Sequence, residues 1–227
     1  MRPERVVLVC GTGTEVGKTW VGATLLRTLR GRGLSVAARK PAQSFDVDSE
    51  GVPLGGPTDA EVLGAASGEP PAAVCPPFRS YHRAMAPPMA ADALGLPSFT
   101  VADLIGEMDW PPEAVQVGLV EAAGGVRSPQ AADGDAAELL AALAPEVVLL
   151  VSDAGLGTIN LVRLSMDALG SATAGTPTVR TVVVLDRFDP GHLIHRSNRQ
   201  WLTAQCGYRV VALPGEESDL ADLVGMA

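Results

Sequence analysis

Apolar, β-branched runs recur along the chain, with helical patterns between them. Most runs are nearly continuous rather than alternating, as expected for strands buried on both faces of a parallel sheet. The predicted strands are Arg5–Cys10, Ser35–Arg39, Val115–Glu121, Val147–Ser152, Val179–Asp186 and Arg209–Leu213. The predicted helices are Lys18–Arg32, Asp59–Ser67, Pro88–Leu94, Val101–Met108, Ala136–Leu143, Ile159–Gly170 and Ile194–Cys206. This alternation predicts an α/β fold of three layers, with a mostly parallel sheet and helices on both faces.

The chain shows no internal repeat and no break in composition, so residues 1–227 are expected to form a single domain. The Pro-rich stretch Glu69–Pro88 is the longest segment predicted to be irregular. Two predicted helix starts have the spacing of a capping box, Thr100–Asp103 and Asp135–Glu138. These pairs predict where the helices begin.

Charge and hydropathy exclude several classes of protein. The net charge of −9 repels phosphate backbones, so no nucleic-acid partner is expected. No apolar run approaches the ~20 residues needed to span a bilayer. The first run, Val6–Val9, is too short for the core of a signal peptide, so we expect a cytoplasmic protein without a membrane partner. Three scattered cysteines (Cys10, Cys75 and Cys206) form neither a disulfide framework nor a CxxC pair.

Lysine is nearly absent from the chain. Of 17 basic residues, 15 are arginine, and the two lysines are Lys18 and Lys40. This is either a bias of composition or a sign that two positions need a compact ammonium that a planar guanidinium cannot replace. Lys40 ends the second strand, and ligands bind at the carboxyl ends of parallel strands. We therefore expect both lysines beside one phosphate site, an arrangement that favours phosphoryl transfer.

A glycine-rich loop, Gly11–Thr19, follows the first strand and opens the first helix. Its backbone N–H groups suit an anion, Lys18 can reach β- and γ-phosphates, and the Thr19 hydroxyl can ligate Mg²⁺. The spacing G-x5-G-K-T is one residue longer than that of the usual P-loop. A dinucleotide-binding loop is the alternative, with Arg39–Lys40 available to an NADP 2′-phosphate, but it leaves the Lys-Thr pair without a role. A nucleoside triphosphate is the favoured ligand.

Two carboxylates and a second small-residue loop complete the candidate chemistry. Glu121 ends the third strand, where a carboxylate suits Mg²⁺. Asp59 is either a second metal ligand or an ordinary helix-start residue, because Asp and Thr are favoured at helix N-termini. The segment Ser152–Asn160 follows the fourth strand and opens another helix. Its N–H groups suit a substrate carboxylate, although an ordinary βα loop has the same composition.

Six segments follow one another along the chain: Gly11–Thr19, Lys40–Ser44, Thr58–Ala60, Pro87–Ala91, Glu121–Gly125 and Leu156–Asn160. In sequence and in order, these segments resemble the motifs of the dethiobiotin synthetase family. The resemblance implies a seven-stranded P-loop-type domain that works as a homodimer. It implies a cyclo-ligase of biotin biosynthesis that uses ATP and Mg²⁺ to close the ureido ring of dethiobiotin from 7,8-diaminopelargonic acid and CO₂. A carbamate and its anhydride with phosphate are the intermediates, and ADP and phosphate are released.

The resemblance also implies roles for individual residues. The catalytic residues are Thr14, Lys18, Lys40 and Ser44. Nucleotide would be bound by Gly13, Thr14, Glu15, Val16, Gly17, Lys18, Thr19, Pro214 and Gly215. The metal ligands are Thr19, Asp59 and Glu121. Substrate would be bound by Ser44 and Gly124, and across the dimer interface by Gly157, Thr158, Ile159 and Asn160.

The sequence departs from the family pattern at three places. Ala122 replaces a glycine after the metal-binding glutamate, and Leu161 stands where histidine is common. Near the end of the fifth strand, Leu185 lies where the family often has an adenine-reading asparagine. We therefore expect nucleoside triphosphates other than ATP to be accepted as well. A paralogue acting on another amine and a P-loop ATPase switch remain alternatives, although such switches often carry a second lysine inside the phosphate loop.

Overall fold

The computed structural model describes residues 1–172 and 179–225. All six predicted strands form there, and two further pairs of short strands accompany them. The strands are β1 (Arg5–Gly11), β2 (Val36–Arg39), β3 (Gln43–Ser44), β4 (Ser80–Tyr81), β5 (Val117–Glu121), β6 (Pro129–Ala131), β7 (Gly134–Asp135), β8 (Val147–Asp153), β9 (Arg180–Asp186) and β10 (Val210–Ala212).

The predicted strands form one parallel sheet in the order β10-β9-β8-β1-β5-β2. In its centre, Val7 of β1 lies opposite Leu119 on one side and Val147 on the other. The seven strands implied by the family resemblance are not found in the described residues, where the sheet has six. The remaining strands have only two or three residues, and they form two separate two-stranded sheets, β3 with β4 and β6 with β7.

Helices cover both faces of this sheet, which confirms the predicted three layers. The alternation of side chains along β1 shows why: Val6 and Leu8 pack into one apolar cluster and Val7 and Val9 into the other. Helices α4 to α8 contribute to the first cluster, and α1, α2 and α9 to the second. The helices are α1 (Lys18–Gly31), α2 (Asp59–Ser67), α3 (Pro71–Val74), α4 (Pro87–Ala93), α5 (Val101–Gly106), α6 (Ala136–Leu143), α7 (Thr158–Ala172), α8 (Leu193–Ala204) and α9 (Glu217–Gly225).

The prediction missed helices α3 and α9. Helix α3 lies inside the Pro-rich stretch that was predicted to be irregular, which also holds a 3₁₀ turn (Pro77–Arg79) and β4. Pro71 starts α3 because proline at the first helical position gives up no hydrogen bond. Helix α9 packs Leu220 and Val224, four residues apart, into the same cluster as α1. Helix α3 has only four residues, too few for a periodic pattern, whereas the spacing of Leu220 and Val224 was a signal that the prediction overlooked.

Capping boxes form at both predicted helix starts. The Oγ1 of Thr100 accepts the N–H of Asp103 at 3.1 Å, and the Asp103 carboxylate accepts the N–H of Thr100 at 2.8 Å. Asp135 and Glu138 make the equivalent pair at the start of α6. Among the described residues, no helix is both long and apolar enough to cross a membrane.

Candidate active site

A cavity of about 780 Å³ opens where the carboxyl ends of β1, β2 and β5 meet the start of α2. Ligands of parallel α/β sheets bind at this edge. Both lysines of the chain line it, so the structure brings them together as the strand-end argument predicted. The predicted site residues in its walls are Thr14, Glu15, Gly17, Lys18, Thr19, Lys40, Ser44, Asp59, Glu121 and Gly124.

The phosphate loop between β1 and α1 has a backbone shape that requires glycine at its end. Gly17 has φ +95°, and a Cβ atom there would lie 1.9 Å from the carboxylate Oδ2 of Asp186. The side chain of Lys18 folds back over the loop, and its Nζ donates to the carbonyl oxygen of Gly13 at 2.9 Å. Burial, with a smaller contribution from the positive charge of Lys40, lowers the pKa of Lys18 to about 8. An anion bound in the loop would stabilise this ammonium.

A cluster of one ammonium, two carboxylates and one hydroxyl lies beside the loop, with Lys40 and Glu121 buried and Thr19 and Asp59 half-buried. The Nζ of Lys40 is 2.8 Å from Asp59 Oδ2 and 2.6 Å from Glu121 Oε1. The Oγ1 of Thr19 donates to Asp59 Oδ1 at 2.7 Å and also lies 3.0 Å from Glu121 Oε1. The ends of two strands and the starts of two helices therefore deliver four polar groups to one point.

Burial and charge act against each other in this cluster. Burial alone lowers the pKa of Lys40, but the two carboxylates outweigh it, so the pKa of Lys40 lies above its ordinary value. Burial raises the pKa of Glu121, and Lys40 opposes that shift only in part. Burial also disfavours the ionised form of Asp59, yet Lys40 and Thr19 hold the pKa of Asp59 below its ordinary value. Lys40 and Asp59 thus form a stable ion pair with Glu121 beside it.

The start of α2 shows why Asp59 reaches this cluster. Thr58 is the N-cap and makes a capping box with Glu61, and the side-chain oxygen of Gln43 accepts the N–H of Ala60 at 3.0 Å. These contacts satisfy the helix terminus. The carboxylate of Asp59 is therefore not needed as a cap, and it faces Lys40 and Thr19 instead. The geometry favours the site interpretation of Asp59 over the helix-start interpretation.

The oxygen atoms of the cluster fit a hard divalent cation. The second carboxylate oxygen of Glu121 is fully buried and has no hydrogen-bond partner among the described residues. An unpaired buried carboxylate oxygen is costly, and a cation would satisfy it. The described residues contain no group of three or more His, Cys, Asp and Glu side chains that could hold a metal. Two carboxylates and the Thr19 hydroxyl suit a cation such as Mg²⁺, which completes its coordination with phosphate and water.

The opposite wall of the cavity comes from β3 and from the loop after β5. The Oγ of Ser44 donates to the carbonyl oxygen of Met85 at 2.6 Å, which joins two segments of the wall. Gly124 has φ +63°, and a Cβ atom there would lie 2.6 Å from Ser128 Oγ. A Cβ atom on Gly125 would lie 3.4 Å from the Cα of Gly13, so this loop packs directly on the phosphate loop.

The scan of family models matches residues 5–220 to a family described as an AAA domain. An ATP-dependent dethiobiotin synthetase of Rhodococcus jostii is 35% identical over 217 residues, covering 95% of this chain and 89% of the relative. Its counterpart in Corynebacterium efficiens is 33% identical, with 95% and 91% covered, and that in Anaeromyxobacter dehalogenans is 39% identical, with 78% and 77% covered. The chain belongs to the dethiobiotin synthetase family.

Solved structures agree with the P-loop NTPase fold of this family member. A nucleotide-binding protein in complex with ADP from Archaeoglobus fulgidus superimposes with a TM-score of 0.51 at 12% identity, covering 98% of this chain and 87% of that one. The cell division protein ftsY of Thermotoga maritima gives a TM-score of 0.50 at 16% identity, with 100% and 69% covered. At such low identity, the likeness concerns the fold alone.

Some residues assigned by resemblance to the synthetase family lie away from the cavity. Gly157, Thr158, Ile159 and Asn160 form the start of α7 and do not line it. The buried hydroxyl of Thr158 donates to the carbonyl of Asp153, within its own loop. Pro214 and Gly215 follow β10, three strands away from β1, and do not line it either. Gly13 and Val16 belong to the phosphate loop but do not line the cavity. The backbone oxygen of Gly13 accepts a hydrogen bond from Lys18.

The prediction that Leu185 takes the place of a residue that reads the nucleobase is wrong. Its side chain is fully buried in the apolar cluster on one face of the sheet, so it cannot face a nucleobase. The next residue, Asp186, ends β9, and its carboxylate lies against Gly17 of the phosphate loop. Side chains alternate along a strand, so a shift of one residue reverses the direction in which a side chain points.

The sequence prediction missed several residues of the cavity wall: Trp20, Gln43, Met85, Ser128 and Arg187. Arg187 follows a strand end, and its guanidinium donates to the carbonyl of Glu15 at 2.9 Å. The strand-end rule that identified Lys40 and Glu121 would have found Arg187 as well. Trp20 and Met85 belong to no motif, so the sequence carries no signal that separates them from core residues.

Proposed function

We propose that this chain is an ATP-dependent dethiobiotin synthetase, which closes the ureido ring of dethiobiotin from 7,8-diaminopelargonic acid and CO₂. The observation that carries this proposal is the meeting of the two lysines of the chain at one cavity, beside the phosphate loop and a carboxylate pair. Relatives that bear this activity in their names match most of the chain. We further propose that residues 1–227 work as one P-loop NTPase-like domain.

The reaction brings several negative charges together, which explains the need for two cations. An amine of the substrate adds to CO₂ and loses a proton, which gives a carbamate. A carbamate oxygen then attacks the γ-phosphorus of ATP, and the bond to the ADP oxygen breaks. The second amine attacks the carbamate carbon and expels phosphate, which closes the ring. Lys18 and Lys40 both line the cavity, and in this proposal they stabilise the carbamate and the transferring phosphoryl group.

The hydroxyl groups of Thr14 and Ser44 and the backbone of Gly124 lie in the same walls and would orient the carbamate by hydrogen bonds. Thr19, Asp59 and Glu121 would hold Mg²⁺, which supplies charge neutralisation to the phosphates when bound. This assignment is supported by the buried, unpartnered oxygen of Glu121 and by the contacts of Thr19 with both carboxylates. ATP, bicarbonate and a small amine are cytoplasmic metabolites, so we propose the cytoplasm as the location of the enzyme.

We also propose a homodimer in which the start of α7 from one subunit completes the substrate site of the other. Gly157–Asn160 lie outside the cavity of their own chain, and apolar side chains are exposed beside them. Leu156 is 85% exposed, and Leu164 on α7 is 61% exposed. A dimer interface would cover these side chains. Leu164→Glu should give a monomer in analytical ultracentrifugation and raise the KM for diaminopelargonate more than the KM for ATP, whereas a variant that stays dimeric with unchanged KM values would contradict the interface.

One assay tests the proposed activity. Purified protein is incubated with MgATP, bicarbonate and diaminopelargonate, and dethiobiotin is measured by mass spectrometry together with released phosphate. Equal amounts of dethiobiotin and phosphate are expected, and neither should form when the amine is omitted. Phosphate release that continues without the amine would indicate an ATPase switch. Replacing ATP with GTP, CTP or UTP measures the nucleotide preference, which the buried Leu185 does not determine.

A further inference from the structure

The ammonium of Lys40 occupies the position between the two carboxylates of the site. It comes from the end of β2, while Glu121 ends β5 and Asp59 starts α2, so three separate elements converge on it. Its Nζ lies 2.8 Å from Asp59 Oδ2 and 2.6 Å from Glu121 Oε1. The Lys40 side chain is 3% exposed and that of Glu121 is fully buried, so solvent hardly weakens their contact, whereas the Asp59 side chain is 39% exposed and its contact with Lys40 is partly screened.

The same carboxylates are the ones that a divalent cation would use. Thr19 already contacts Oδ1 of Asp59 and Oε1 of Glu121, and the remaining oxygen of Glu121 is buried without a partner. A divalent cation bound to this pair would lie within a few ångström of the Lys40 ammonium. At such a distance two positive charges repel strongly inside a protein.

We propose that Lys40 and the divalent cation compete for the Asp59–Glu121 pair, so that Lys40 keeps the free cation out and admits it only together with a nucleoside triphosphate. The phosphate oxygens would accept the hydrogen bonds of Lys40 and draw it away from the carboxylates. Lys40 then has a positioning role before any phosphoryl transfer, in addition to its proposed catalytic role. This inference rests on the metal site of the proposed function.

The test measures Mn²⁺ binding to the full chain without nucleotide, by electron paramagnetic resonance of free Mn²⁺ and by calorimetry. Lys40→Gln should bind Mn²⁺ roughly tenfold or more tightly than the wild type, because a contacting positive charge is removed. Lys40→Arg, which keeps the charge, should bind as weakly as the wild type. The matched control is Lys18→Gln, since Lys18 lines the same cavity but donates to a backbone carbonyl rather than to a carboxylate. Its gain in Mn²⁺ affinity should be clearly smaller than that of Lys40→Gln, because the charge of Lys18 acts on the two carboxylates without contacting them.

Equal Mn²⁺ affinities in Lys40→Gln and the wild type would overturn the competition, as would an equal gain in Lys18→Gln. If Lys40→Gln does not fold, Lys40→Met provides the same measurement with the buried aliphatic stem retained. Adding Asp59→Asn to the tighter-binding variant should abolish the gain, and a gain that survives would also overturn the proposal. Dethiobiotin formation by the wild type is measured separately, so failure of the competition and failure of the proposed function are distinguishable.

Discussion

At the scale of single residues, the two lysines do different work in the same cavity. Lys18 is held over the phosphate loop by the carbonyl of Gly13, whereas Lys40 is held by two carboxylates. The Lys18 ammonium can therefore bind an anion in the loop, whereas the Lys40 ammonium already contacts two carboxylates. Arginine, which is common elsewhere in the chain, is longer and planar and would keep the charge without reproducing the contacts of either ammonium.

Replacing either lysine with arginine should damage catalysis although the charge is kept. The loss of one well-placed cation at a developing charge costs on the order of 10²–10³ in rate, or about 3–4 kcal/mol. Lys40→Arg should lower kcat and kcat/KM with little change in nucleotide affinity, and Lys18→Arg should also weaken ATP binding. Calorimetry with a non-hydrolysable ATP analogue, together with single-turnover kinetics, separates the two effects. A fully active Lys40→Arg enzyme would remove Lys40 from the chemistry.

Glu121→Gln should weaken Mg²⁺-dependent turnover while the fold is kept. The amide has nearly the same shape, but it removes the negative charge from the proposed metal site. Steady-state rates over a Mg²⁺ titration give the measurement, with circular dichroism to verify folding. Unchanged turnover and an unchanged Mg²⁺ requirement would exclude Glu121 from the site.

The carboxylate of Asp186 should make stability depend on pH. Burial raises the pKa of Asp186, so the folded state binds a proton more readily than the unfolded state. Its ionised form therefore penalises folding at neutral pH, and the penalty disappears as the pH falls to the ordinary pKa of aspartate. Asp186→Asn should be more stable than the wild type at pH 7.5 and lose this advantage near pH 4. Urea denaturation at both pH values is the test.

The control for this measurement is Asp92→Asn, because Asp92 is exposed on α4. It should leave the stability nearly unchanged at both pH values. A stability difference between Asp186→Asn and the wild type that does not vary with pH would show that the carboxyl does not titrate differently in the folded state.

Residues at strand ends were predictable, and residues outside motifs were not. Lys40 and Glu121 could be placed because the ends of parallel strands meet at one edge of the sheet. Asp59 could not be decided from the sequence, because its position also suits a helix start. Trp20 required the folded chain, since an apolar residue on a first helical turn usually belongs to the core. Leu185 was misplaced because a strand reverses its side chains at every residue.

At the scale of elements, the long continuous apolar runs predicted the strands of the main sheet, but the shortest strands and helices were not predicted. All six strands of the main sheet were predicted to within two residues at either end, whereas the two-residue strands β3 and β4 have no periodicity to detect. Their pairing depends on the tertiary contacts of the Pro-rich segment. The backbone of the loop that connects β1 to α1 is tightly constrained, because its last residue, Gly17, packs against Asp186 at the end of β9.

Gly17→Ala should destabilise this connection and impair nucleotide binding. A Cβ atom would overlap the Asp186 carboxylate at 1.9 Å, and φ +95° disfavours any L side chain. Strain of this kind costs about 1–3 kcal/mol or more. Urea denaturation and binding of an ATP analogue measure both effects.

Gly31→Ala is the matched control, since Gly31 ends the same helix and a Cβ atom there meets nothing within 4 Å. Its free energy of unfolding should stay within about 1 kcal/mol of the wild type, on the stabilising side. If the two variants were equally stable and bound the analogue equally well, the contact between Gly17 and Asp186 would have no energetic weight.

At the scale of the whole molecule, the net charge is −9, yet both lysines of the chain lie at one edge of the sheet. The Lys18 ammonium and the helix N-terminus at the phosphate loop form a local site for anions, while the negative net charge of the protein repels polyanions. Such a site suits the anionic intermediates of the proposed reaction. In the central step of that reaction, a carbamate oxygen attacks the γ-phosphorus of ATP in this cavity.

Oxygen tracing follows this step. Bicarbonate labelled with ¹⁸O is mixed with the enzyme, MgATP and diaminopelargonate, and the released phosphate is analysed by mass spectrometry after a single turnover. Because the attacking carbamate oxygen stays on phosphorus when the ring closes, each phosphate released should carry one ¹⁸O atom from bicarbonate. Phosphate that carries oxygen from water instead would show that ATP is hydrolysed without phosphorylation of a carbamate, and would contradict the account.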